Sequence, residues 1–232
     1  MKTLNEYIEE SILDIDDLIA NDDKFIEDWL KKNCRLYGPY TIKNSVVDVN
    51  GSVRINKNVK SIDIQFGNVH GDFDCSECQK LTSLEGCPKW VEYDFDCSGC
   101  NSLTSLEGAP EKVEHIFWCK NCTKLETLKG APKSVGGSFL CTSCVKLKNL
   151  KGAPEFVYTY FECSDCVNLE SLEGSPRHVQ MDFRLSRCTK LKILKGITQN
   201  IGGVIFAKGC NLEHTKDAPK NTKIILGETR NN

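Results

Sequence analysis

Five consecutive segments of this chain share one frame: DFDCSECQKLTSLEGCP, DFDCSGCNSLTSLEGAP, IFWCKNCTKLETLKGAP, SFLCTSCVKLKNLKGAP and YFECSDCVNLESLEGSP. The anchors recur every 22 residues without an insertion. Phe73, Phe95, Phe117, Phe139, Phe161 and Phe183 form one column, and two leucine columns run from Leu81 to Leu191 and from Leu84 to Leu194. A glycine column runs from Gly86 to Gly196, and Val91, Val113, Val135, Val157, Val179 and Ile201 complete the unit. One such unit cannot bury its own apolar side. Stacking against its neighbours does so, which is why several copies are needed. The repeat predicts a solenoid.

Within a unit, Phe73 and Cys75 are two residues apart and share one face of a strand. Leu81 and Leu84 turn inward after a corner. Gly86 allows backbone geometry closed to other residues, and Pro88 stops further helix or ladder pairing. The period lies within the roughly 20–29 residues of leucine-rich repeats. The unit V-x-x-x-F-x-C-x-x-C-x-x-L-x-x-L-x-G-A-P resembles their cysteine-bearing version over residues 69–226, with the second cysteine at the place of the asparagine or cysteine ladder. It departs from that family where glycine and proline follow the last leucine too closely for an outer helix. The expected fold is therefore a leucine-rich-repeat-like solenoid, mostly β, with a parallel sheet, extended or 3₁₀ returns and a small helical N-terminal cap.

Four regions are expected: an acidic helical cap (1–39), β capping strands (40–68), about seven repeats with the last two degenerate (69–226), and a loose tail (227–232). Leu4, Ile8, Ile12, Ile15 and Ile19 recur at helical spacing. A second helix starts near Asn21 or Asp22, with Phe25, Ile26, Trp29 and Leu30 expected inward. Residues 1–33 hold ten acidic and four basic residues, a net −6, against 22 acidic and 26 basic residues, a net +4, in the remainder. This segment is read as packing against the array, or else as a docking element. Asn50-Gly51, between Val47/Val49 and Val53/Ile55, is a two-residue hairpin signal. At the other end Leu185 and Ala207 replace the first cysteine, and Leu212 arrives one residue early, as expected of a terminal coil facing water.

Fourteen cysteines need an explanation. The acidic N-terminus, Met1 to Asp17, lacks the basic start and apolar core of a signal peptide. The expected compartment is then the reducing cytoplasm, where disulfides are rare. Each of five coils carries C-x-x-C, a spacing that suggests zinc or redox chemistry when it stands alone. A zinc site needs four ligands converging on a point, however, and a ladder spreads them along a line. Both columns are expected to be buried free thiols acting as small hydrophobes. The second column, Cys78, Cys100, Cys122, Cys144, Cys166, Cys188 and Cys210, is expected also to cap backbone groups at the turn. No metal and no cofactor are assigned.

No catalytic residue is assigned either. His70, His115, His178 and His214 fall in different columns, the corner serines have no histidine at a fixed offset, and no phosphate-cradling loop is present. The carboxylates Asp72/Asp74 and Asp94/Asp96 read as a solvated acidic face. The residues flanking each strand phenylalanine are free to vary: Asp94, Asp96 and Arg184 lie among them, and Ile116, Trp118, Leu140, Tyr158 and Tyr160 are expected to adjoin on an apolar–aromatic surface of the kind found at interfaces. The alternative is that the N-terminal helices cover that patch. Lys124, Lys129, Lys146, Lys148 and Lys151 form a stripe on the return side, read as solvated.

The net charge of −2 gives no reason to expect a nucleic-acid binder, and no apolar run approaches the about 20 residues of a membrane span. The segment MKTLNEYIEESILDIDD, then FIEDWLKKNC and YTIKNSVVDVNGSV, then the FxCSxCxxLxSLxGAP array resembles repeat proteins encoded by tailed phages and prophages of gut bacteria. That resemblance implies action in the cytoplasm of an infected bacterium. The expected function is a non-enzymatic protein-binding or scaffolding module. The alternatives are a small-molecule or metal sequestering protein and a structural component of a phage particle.

Overall fold

A computed structural model describes residues 22–227. The expected first helix and the tail from Thr229 to Asn232 lie outside them. The chain forms a β-solenoid of about eight turns, with one short helix, α1, over 22–33. The cap region adds β1 (Cys34–Tyr37) and β2 (Tyr40–Lys43), followed by β3 (Val46–Val49), β4 (Ser52–Ile55), β5 (Gln65–Val69) and β6 (Phe73–Asp74). Each later coil contributes a pair of two-residue strands. On the valine side these are β7 (Trp90–Val91), β9 (Lys112–Val113), β11 (Ser134–Val135), β13 (Phe156–Val157) and β15 (His178–Val179). On the phenylalanine side they are β8 (Phe95–Asp96), β10 (Phe117–Trp118), β12 (Phe139–Leu140), β14 (Phe161–Glu162) and β16 (Phe183–Arg184). The array ends with β17 (Ile205–Phe206) and β18 (Ile224–Ile225).

The return is thus itself a sheet. A ten-stranded sheet runs β1-β4-β6-β8-β10-β12-β14-β16-β17-β18 and an eight-stranded one runs β15-β13-β11-β9-β7-β5-β3-β2. From β6 to β16 the coils pair parallel and in register, Phe on Phe and Val on Val, whereas β3 and β5 pair parallel with a register shift between Val47 and Val49. The third side, through the two leucine columns, carries no strand, yet it too bonds coil to coil: Leu106 N–H donates to Lys129 O at 2.8 Å and Leu150 N–H to Glu173 O at 2.9 Å. Backbone groups are therefore satisfied by the next turn on all three sides, as burial demands.

Inward positions form continuous rows. The phenylalanines from Phe73 to Phe183 are wholly buried, with successive ring centroids 4.9–5.7 Å apart. Phe66 extends the row at 5.3 Å from Phe73, and Trp29 of α1 closes it at 6.4 Å from Phe66. Each buried ring contributes roughly 1.5–3 kcal/mol. α1 therefore covers the first end of the stack with Ile26, Trp29 and Leu30. Phe25, expected inward, is 55% exposed instead, because three inward residues already fill the face that meets the coil.

Two further expectations are corrected. Asn50-Gly51 is no hairpin: β3 pairs with β2 and β5, whereas β4 pairs with β1 and β6, so this dipeptide bends the chain from one sheet to the other. The hairpin lies between β2 and β3 at Asn44 and Ser45, both at positive φ (52° and 59°). Parallel stacking consequently begins with β3 and β4 and not at residue 69. Val53 and Ile55 fill the places that Phe73 and Cys75 hold one coil later, which hid this first coil in the sequence.

Candidate binding surface

The corner within each C-x-x-C is set by a conformation the frame does not advertise. Glu77, Gly99, Asn121, Ser143, Asp165, Arg187 and Gly209, one per coil, all have positive φ between 55° and 75°. This left-handed residue turns the chain out of the ten-stranded sheet and aims its N–H at the next coil, as Ser143 does to Ser164 O at 2.9 Å. Glycine, asparagine and aspartate at four of these places were the available signal. Glu, Ser and Arg at the others masked it.

The turn places the second cysteine inside. Its thiol donates to the carbonyl of the first-cysteine residue one coil back: Cys100 to Cys75 O at 3.1 Å, Cys122 to Cys97 O at 3.2 Å, Cys144 to Cys119 O at 3.1 Å, Cys166 to Cys141 O at 3.3 Å and Cys188 to Cys163 O at 3.1 Å. Cys210 does the same to Leu185 O, and Cys78 reaches Asn56 O at 3.5 Å. The second column is thus a row of caps, buried except at half-buried Cys210, while the first column is packed inward, with Cys97 also donating its thiol to Trp118 O at 3.3 Å. Burial pushes the Cys97 and Cys119 thiols up and takes Cys78 to about 12. These groups are held as neutral thiols, the unreactive form. All fourteen cysteines are free. Among the described residues no three His, Cys, Asp or Glu side chains are placed to hold a metal ion.

The outward positions of the ten-stranded sheet form the ladder Asp96, Trp118, Leu140, Glu162, Arg184, Phe206. The column before it holds Asp94, Ile116, Ser138, Tyr160 and Asp182. Trp118 is partly exposed and carries Lys120 Nζ over its ring at 4.2 Å. Two coils on, the Tyr160 ring lies 4.0 Å under the guanidinium of Arg184 from the following coil, which is also 5.6 Å from the Phe206 ring. Asp182 fixes Arg184 at 3.1 Å.

Not every expected face residue is open. Leu140 is only 7% exposed, because Trp118 and Glu162 flank it in the ladder. Asp94 accepts the Ile116 N–H at 2.9 Å, and Asp96 accepts the Ser98 N–H at 2.8 Å while burial raises its pKa. Asp94 thus braces the backbone between coils, and Asp96 braces the turn within its own coil. Tyr158 is 51% exposed but follows β13, so it stands on the eight-stranded side of the bend. There it is accompanied by exposed Phe156 and Met181, which the sequence reading did not single out. The lysine stripe is partly paired across coils, with Lys129 to Glu107 at 2.6 Å and Lys151 to Glu173 at 3.0 Å.

The described part of α1 covers the end of the solenoid and leaves this sheet face uncovered. Comparison with protein-family models, curated proteins and solved structures returned no match. Among the described residues no helix is long and apolar enough to cross a membrane.

Proposed function

We propose that this chain is a non-enzymatic protein-binding or scaffolding module that recognises its partner with the middle coils of the ten-stranded sheet. One observation carries the reading: two aromatic rings, Trp118 and Tyr160, stand two coils apart on the outward columns, each held under a cation. Aromatic and arginine side chains dominate interface energetics. A ring already clamped by Lys120 or Arg184 loses little freedom on binding, so less of the contact energy is spent on ordering. Ile116 lies beside them, and Phe156 and Tyr158 border the patch across the bend.

The resemblance to phage-encoded repeat proteins supports a setting inside an infected bacterium, with a host factor as partner. A quantitative pull-down from host lysate tests the reading. Trp118→Ala with Tyr160→Ala should deplete specific partners, and Phe156→Ala with Tyr158→Ala serves as the comparison for the neighbouring side. An unchanged partner list for the first pair rules out the ten-stranded face.

A further inference from the structure

The two ends of the solenoid are finished differently. At the first end α1 seals the core. At the last, β18 is the outer strand of the ten-stranded sheet. Its backbone groups alternate in direction. The N–H groups of Ile205 and Ala207 bond forward to Lys223 O and Ile225 O, each at 2.9 Å. The equivalent forward-pointing groups one coil later belong to Ile224 and Leu226. Among the described residues their N–H groups have no acceptor. The side chains tell the same story. Leu226 follows Leu185 and Ala207 in the row that the first cysteines occupy, where burial is essentially complete, yet it is 50% exposed. Ile224 continues the phenylalanine row and is only half-buried, as are Ile201, Leu212 and Ala218 around it.

An open strand edge beside an unfinished apolar end is a template for another strand. We infer that a second copy of this chain occupies it, by antiparallel pairing of β18 with the partner's β18 about a two-fold axis at Ile225. The register follows from the geometry. The forward-pointing residues, Ile224 and Leu226, are two apart. A two-fold at Ile225 sets Ile224 against the partner's Leu226 and Leu226 against the partner's Ile224. Both are then hydrogen-bonded pairs, in which each residue donates its N–H to the other's carbonyl. The same register places inward Ile224 against inward Leu226 twice, joining the two apolar ends. α1 covers the apolar core at the opposite end, so pairing the two unfinished ends buries more apolar surface than head-to-tail addition onto β1, and the contact closes as a dimer, the commonest symmetric solution. Only one short edge and the end of one coil take part, so the dimer is expected to be weak and concentration-dependent.

Sedimentation equilibrium and light scattering over a wide concentration range test this on the full chain. The expected result is a monomer–dimer equilibrium. Leu226→Pro removes a donor that acts twice in the dimer, at an edge position where proline is tolerated. It should weaken association by roughly tenfold or more. Ile225→Lys keeps the backbone and sets like charges against each other on the axis, and should also abolish the dimer. Circular dichroism of both variants checks that the solenoid is intact. A wild-type chain that stays monomeric at every concentration overturns the inference. So does a dimer that survives both substitutions, since its contact would then lie elsewhere.

Discussion

Raising the pH should unfold this protein abruptly, and the cysteine rows are the cause. The ordinary thiol pKa is 9.0, and Cys78, Cys97, Cys100, Cys119, Cys141 and Cys188 are all held above it. Burial is the leading cause at Cys78, Cys97 and Cys119, while at the other three it is a hydrogen bond with another thiol, followed by burial. Below pH 9 both folded and unfolded chains keep these protons, so the thiols contribute their full stability. Above it the unfolded chain releases protons that the folded chain retains, and the balance moves toward unfolding. One pH unit above the unfolded value, each group has lost about 1.4 kcal/mol. These six groups alone lose roughly 8 kcal/mol together, against a total stability on the order of 5–15 kcal/mol, and Cys34, Cys75, Cys144, Cys163 and Cys210, also held above the ordinary value, add to the loss. Cooperative unfolding is expected near pH 10.

The assay is urea unfolding under a phosphine reductant at a series of alkaline pH values. The triple variant Cys97→Ala, Cys119→Ala, Cys141→Ala should start less stable at neutral pH because it leaves gaps in the core. Its stability should then fall less steeply with pH, by roughly a quarter, since three of the eleven raised thiols no longer release protons. Lysine and tyrosine titrations are common to both proteins and cancel in that comparison. Equal slopes would refute the argument, as would a wild-type protein still folded well above pH 11.

Two further perturbations separate the geometry of the turns. A Cβ on Gly108 (φ 88°) would overlap the backbone of Glu85 in the previous coil, whereas one on Gly99 (φ 71°) would meet chiefly the movable end of the Glu77 side chain. Gly108→Ala should therefore lose on the order of 4 kcal/mol and Gly99→Ala about 1–2 kcal/mol in urea unfolding, and equal losses would show that coil spacing is not the constraint. Conversely, Ser143→Gly relieves a left-handed serine at φ 62° that makes no side-chain hydrogen bond among the described residues. It should raise stability by about 0.5–1 kcal/mol and the melting temperature with it.

What the sequence made legible follows from which interactions repeat. Inward rows need one residue type per coil, so Phe117, Leu125, Leu128 and Val135 appear at a fixed interval and their burial could be stated in advance. The thiol caps at Cys100 and Cys122 were legible for the same reason. The left-handed corner was not, because a positive φ is a backbone demand that Glu77 and Arg187 meet with strain and leave unmarked. The first coil was hidden because Val53 and Ile55 satisfy the same row with different side chains. The binding face was read as one surface because position within a repeat does not reveal the bend. Tyr158 and Tyr160 are two residues apart, yet the chain changes sheets between them.

Outward columns behave differently from inward ones, and this makes the face testable. Stability resides in rows that are buried on every side and bonded from coil to coil. Trp118 and Tyr160 lie outside those rows, their rings against Lys120 and Arg184. Exposed contacts of this kind are worth about 0.5–1 kcal/mol each. Replacing both rings should thus leave the solenoid folded, while removing two of the large rigid groups that the middle coils present. A loss of partners in that variant would then report recognition and not unfolding. The same separation explains how a chain with so strict an interior can vary so freely between coils on its surface: Asp74, Asp96, Trp118, Leu140, Glu162 and Arg184 occupy equivalent places in successive turns without disturbing the stack beneath them.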